Sequence, residues 1–72
     1  MGNFNAALGD YTKALALNPR SAQAYVNRGN LWQELKNYNE ALKDLLEAKA
    51  LGFPVDGERI DEIKKLTQWR SA

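Results

Sequence analysis

Grouped carboxylates at Glu58, Asp61 and Glu62 and the hydroxyl of Ser21 are the side chains with the means to act on a bound molecule, the first as acids, bases or cation ligands, the second as a nucleophile. Either role needs company. A serine nucleophile requires an adjacent base, and carboxylates that hold a transition metal usually share it with imidazole or thiolate. The sequence contains no histidine and no cysteine. Ser21 is accounted for as a helix cap, and the three acids, interleaved with Lys64 and Lys65, read as a solvated helix face. No catalytic, cofactor-binding or metal-ligating residue is assigned, and an enzyme is not expected.

A second polar set has a different use. Gln23, Val26, Asn27, Asn30 and Gln33, with Glu34 beside them, fall one or two helical turns apart, on the side away from Tyr25, Gly29 and Trp32. Gln23, Asn27, Asn30 and Gln33 are amides. An amide donates and accepts at once, which suits the backbone of an extended peptide. The alternative is an ordinary solvated helix face, or Asn27 bonding to an adjoining helix.

The elements that must carry these residues follow from a repeated phrase. Sliding the chain against itself by 34 positions matches Asn3 with Asn37, Asn5 with Asn39, Ala7 with Ala41, Leu8 with Leu42 and Asp10 with Asp44. It also matches Ala14 with Ala48, Ala16 with Ala50 and Leu17 with Leu51, eight identities within fifteen positions. A fixed period of this length points to a helical solenoid. Each copy has apolar residues at three- and four-residue intervals, the mark of an amphipathic helix.

Start and stop signals divide the chain into helices near residues 4–17, 22–35, 38–51 and 57–70. Pro19 ends the first and Ser21 caps the second. Asn37 with Glu40 forms a capping box for the third, and Gly52 is placed to take the left-handed conformation at its end, just before Pro54. Asp56, flanked by Val55 and Ile60 at staple spacing, starts a last helix whose Ile60, Ile63, Leu66 and Trp69 form one stripe. Trp32 reads as core; Trp69, near the chain end, reads as core or as a partner contact. Gly29 in mid-helix costs about 1 kcal/mol relative to alanine, so a bulky neighbour is expected against it: a ring, most simply Tyr38, or else Leu42 or Leu45.

Composition sets the limits. At 72 residues the chain is one small domain with a marginal core, and without cysteine it has no disulfide to compensate. Ten basic and nine acidic residues, mixed throughout, favour neither nucleic acid nor an anionic membrane. No apolar run approaches the ~20 residues that span a bilayer and no signal-peptide layout is present, so a soluble, cytoplasmic chain is expected.

With Tyr25, Gly29, Trp32, Ala41, Leu45 and Ala48 at their offsets, and Phe4, Ala7, Tyr11, Ala14 and Pro19 in the half before, the chain resembles the tetratricopeptide repeat (TPR) family. Two positions depart from the pattern: Arg28 stands where leucine is usual, and Phe53 where proline is usual. The resemblance implies an all-α fold of antiparallel helix-turn-helix repeats, a right-handed α-solenoid of about four helices. It also implies a single domain, 1–72, made of the second half of a repeat (2–19), a complete repeat (22–55) and a capping helix (56–72). By the same resemblance the chain is a scaffold for protein–protein interaction, with Gln23, Val26, Asn27, Asn30 and Gln33 on a concave face that binds a peptide segment of a partner protein. Family members that hold the C-terminal carboxylate of heat-shock chaperones draw lysine, arginine and asparagine from three successive first-type helices. Only one such helix is present here and the stripe has no lysine, so that assignment is not made.

The alternative function is a purely structural or self-associating segment of a longer array. The first helix lacks the partner helix that would cover it, leaving Phe4, Leu8, Tyr11 and Leu15 as an apolar edge for a homodimer. A monomer would result if the last helix folded back to cover that edge with Ile60, Ile63 and Leu66.

Overall fold

The computed structural model describes residues 3–71, with side chains as far as Gln68, so both roles open to the Trp69 ring lie outside the described residues. Four helices run in order, α1 Phe4–Leu17, α2 Ala22–Glu34, α3 Tyr38–Ala50 and α4 Gly57–Ser71, with no strand among the described residues. Among the described residues each helix packs closely on its chain neighbours alone: α1 on α2, α2 on α3 most extensively, and α3 on α4. The fold-back of α4 over α1, one of the alternatives open from sequence, is therefore not formed among the described residues. Ile60 and Ile63 of α4 are buried, but on α3 rather than over α1.

Helix boundaries follow from local hydrogen bonding. The Ala6 N–H donates to Oδ1 of Asn3, the Ala24 N–H to Oγ of Ser21 and the Glu58 N–H to Oδ1 of Asp56, each satisfying a donor that a helix start leaves unpaired. At the end of α3, Gly52 takes φ +97° as expected; the Phe53 N–H reaches the Ala48 carbonyl and the Gly52 N–H that of Lys49, each at 3.0 Å. This is a Schellman closure.

The same closure ends α2, which the sequence does not announce. The Asn37 N–H donates to the Trp32 carbonyl at 2.9 Å and the Lys36 N–H to that of Gln33 at 3.0 Å, with Lys36 at φ 63°. The capping box expected at Asn37 is absent for that reason. Asn37 makes no side-chain cap bond, and its own N–H, which Glu40 would have to accept, is already spent on Trp32.

The core is centred on the α2–α3 seam. Ala41, Leu45 and Ala48 are 0% exposed. Small alanines bring the backbones together, and Gly29 receives Leu45: a Cβ added at Gly29 would lie 3.2 Å from Leu45 Cγ and 3.4 Å from the Ala41 carbonyl oxygen. The expected bulky neighbour is thus Leu45, not the ring of Tyr38.

One residue along from this notch, Arg28 grips Asp44. Nε donates to Oδ2 at 2.8 Å and Nη2 to Oδ1 at 2.9 Å, a two-bonded fork on a carboxylate whose side chain is only 6% exposed. The guanidinium also lies 5.7 Å from the centre of the Tyr25 ring and extends Nη1 to the Thr12 hydroxyl of α1. Its pKa is raised, first by the hydrogen bond to Asp44 and then by the fields of Asp44, Tyr25 and Glu40, against the opposing effect of burial.

The apolar edge of α1 differs from expectation in one member. Leu15 is buried, Leu8 and Tyr11 are half-buried and Phe4 is exposed. Leu15 is part of the core and is unavailable to a second chain, because its position on α1 faces the packed side of the row.

Three outcomes follow for stability. Replacing Arg28 with the leucine usual in the family strands a buried carboxylate and costs about 2–3 kcal/mol in urea unfolding, whereas adding Asp44→Leu to it restores most of the loss. Both single changes costing no more than the double would reject the pair as the seam's pin. Lys36→Gly relieves a left-handed non-glycine residue at an exposed site and raises stability by about 0.5–1 kcal/mol; an unchanged urea midpoint would reject that strain. Gly29→Ala gains about 1 kcal/mol of helix propensity but loses more to overpacking against the fully buried Leu45, for a net loss of about 1 kcal/mol by thermal denaturation.

Candidate functional site

The polar face of α2 is built by helical spacing and then closed by its neighbours. Gln23, Asn30 and Glu34 are exposed and Asn27 and Gln33 half-buried, so the helix brings four amides and one acid to one side. Val26 does not belong with them. It is 8% exposed, a correction to the expected face, because on the helical wheel it lies between Gly29 and Asn30 and so turns into the packed flank.

The amides work in pairs. Nε2 of Gln23 donates to Oδ1 of Asn27 at 3.0 Å, one turn apart on the same helix, so Asn27 is not bonded to an adjoining helix through this oxygen. Asn30 and Gln33 are joined by a residue from elsewhere. Nη2 of Arg59, near the start of α4, donates to Oδ1 of Asn30 and, at 3.0 Å, to Oε1 of Gln33. Both amide oxygens are thereby occupied, which turns the two amide NH2 groups away from the arginine.

Beside this cluster a cleft of about 220 Å³ opens between α1 and α2, lined by Tyr11, Asn27, Asn30, Leu31 and Glu34. Tyr11, assigned from sequence to a self-association edge, contributes to this cleft as well. The site therefore combines amide donors, the cationic head of Arg59, an aromatic wall and an acid. Such a surface can hold carbonyl and carboxylate oxygens through hydrogen bonds and one charge. No group of three or more residues suited to a metal ion occurs among the described residues, and Glu58, Asp61 and Glu62 lie exposed on α4.

Arg59 is the functional candidate that sequence reasoning missed. Twenty-nine residues separate it from Asn30, and the 34-residue register is lost after Pro54, so no periodic signal links the two. The amide stripe itself carries no lysine; the cation at this face is Arg59 of α4.

Helices of this order, with alanines and a glycine notch in the seam, form a helical-repeat interaction module. A family model described as "TPR repeat" matches residues 1–36. The chain belongs to the tetratricopeptide repeat family, whose members are protein–protein interaction modules without a catalytic centre of their own. It is 44% identical over 43 residues to a FAM10 family protein of Arabidopsis thaliana, covering 60% of this chain and 10% of that protein. It is 34% identical over 50 residues to tetratricopeptide repeat protein 28 of Homo sapiens, covering 69% of this chain and 2% of that one. A DnaJ homolog subfamily C member 7 homolog of Dictyostelium discoideum is 29% identical over 65 residues, covering 90% of this chain and 12% of that protein. The chain thus spans no more than about an eighth of the length of these curated relatives. No solved structure matches it at a significant level. No helix among the described residues is long and apolar enough to cross a membrane.

Proposed function

We propose that the chain is a peptide-binding module rather than an enzyme, and that it holds an extended, acid-containing segment of a partner protein across α2. In this reading the ligand's backbone carbonyls accept from the amides of Asn30 and Gln33, its carboxylate meets Arg59, and an apolar side chain rests on Tyr11 in the neighbouring cleft. The observation that carries it is the position of Arg59. A guanidinium braced by two amide oxygens is held in place before a ligand arrives, so little side-chain entropy is lost when it binds an anion. The purely structural alternative gives no role to the amide NH2 groups of Asn30 and Gln33, whose oxygens alone are engaged by Arg59.

The test is selection from a random peptide library on the full chain, followed by affinity measurements at low and high salt. Selected peptides are expected to be enriched in aspartate or glutamate and to bind more weakly at high salt. Arg59→Gln should weaken binding about tenfold and Asn30→Ala several-fold, with helix content unchanged, while Glu47→Gln on the exposed side of α3 should have no effect. A chain that selects no peptide, or affinity indifferent to both substitutions, rejects the assigned face.

A further inference from the structure

The four amides of α2 do not offer the same chemistry along the helix. Nε2 of Gln23 donates to Oδ1 of Asn27, and no other bond engages either side chain among the described residues, so Gln23 keeps Oε1 as an acceptor and Asn27 keeps Nδ2 as a donor. One turn on, the pattern changes. Asn30 and Gln33 give their oxygens to Nη2 of Arg59, so this end keeps only donors: the two amide NH2 groups and the remaining N–H groups of the guanidinium. Glu34, the next acid on the helix, lines the cleft towards Tyr11 instead.

Resting on the peptide-binding reading of α2, we propose that this polarity fixes the ligand: an aspartate or glutamate at Arg59 and, about three residues away, a residue other than proline held by its backbone N–H and C=O. At the Arg59 end every ligand atom must accept. A carboxylate or a carbonyl does so, whereas a carboxamide of the same shape turns its NH2 onto donors and leaves them unpaired. At the Gln23–Asn27 end one acceptor and one donor stand side by side, the complement of a single residue's backbone N–H and C=O. Proline has no N–H to give.

The separation follows from two rises. The midpoint of Gln23 and Asn27 lies six to seven residues before that of Asn30 and Gln33, which at ~1.5 Å per helical residue is about 10 Å. An extended chain covers that length in about three residues at ~3.3 Å each. The Gln23–Asn27 pair is thus a register mark. Arg59 selects the acid, and the pair decides which part of the ligand backbone lies beside it.

The experiment takes the tightest acidic peptide selected on the full chain and measures its affinity by fluorescence anisotropy in two series. Exchanging the ligand's acid for its carboxamide should weaken binding at least about tenfold on the wild-type chain and far less on Arg59→Gln. In a scan that methylates one backbone nitrogen at a time, one position about three residues from the acid should lose about fivefold or more, and the others little. Gln23→Met removes the acceptor at an exposed site with a good helix former, so helix content should hold and that one position should lose its sensitivity. Three results would each overturn the proposal while peptides still bind and respond to Arg59→Gln: indifference to the acid-to-amide exchange, a methylation scan with no such position, or a sensitive position that Gln23→Met leaves unchanged. A chain that selects no acidic peptide overturns the peptide-binding reading and this proposal together.

Discussion

The carboxylate of Asp44 cannot remain buried in the α2–α3 seam without a partner, and among the described residues that partner is Arg28. That requirement fixes how the two helices meet. An interface of alanine and leucine alone would tolerate a slip of one turn, because its contacts are similar at each level. The fork tolerates none, since both its bonds need α2 and α3 at one height and one rotation. Directly beside it Gly29 admits Leu45, so a polar pin and a steric notch enforce the same register at adjacent residues. The pair adds little net stability over a well-packed apolar seam; what it contributes is a single arrangement.

The rest of the molecule is arranged around that seam. α2 is held on one side by α3 and on the other by α1, with Nη1 of Arg28 also reaching Thr12. Its remaining side is where the amides lie. α4 packs on α3 but sends Arg59 back across to α2, so the polar face is bounded by side chains from two helices that make no close backbone contact with each other. In a core this small, order comes as much from such polar ties and from the helix closures at Lys36 and Gly52 as from buried area.

The sequence makes the helices, their order and most of their ends legible, because period, proline, glycine and cap residues are local signals. Ser21, Gly52 and Asp56 act as their types suggest. What it hides depends on residues far apart in the chain. Arg28 reads locally as a defect in an apolar pattern, and only contact with Asp44 sixteen positions away makes it a pin. Val26 reads as part of the polar face because spacing alone does not show how wide the packed flank is. Arg59 has no signal at all, since it joins the amides through tertiary proximity across a broken register. Lys36 is hidden for the opposite reason: its left-handed conformation is imposed by the closure between α2 and α3 against its own preference.

The two copies of the phrase show how far a repeat specifies its own structure. Asn3 and Asn37 are the same residue at the same position, yet Asn3 caps its helix with its side chain while Asn37 does not. Asn37 follows another helix without a break, and its backbone is already drawn into that helix's closure. Asp10 and Asp44 are likewise identical, one in solvent and one locked in the core. In both cases α2 makes the difference on α3: its closure takes the Asn37 N–H, and its Arg28 holds Asp44. The residues of the repeat define what a neighbour must offer, an arginine, a notch, a continuous backbone, and the neighbour decides whether the unit becomes core or surface. The same residue types therefore stand as core on α3 and as partly exposed surface on α1, with no change in the helix that carries them.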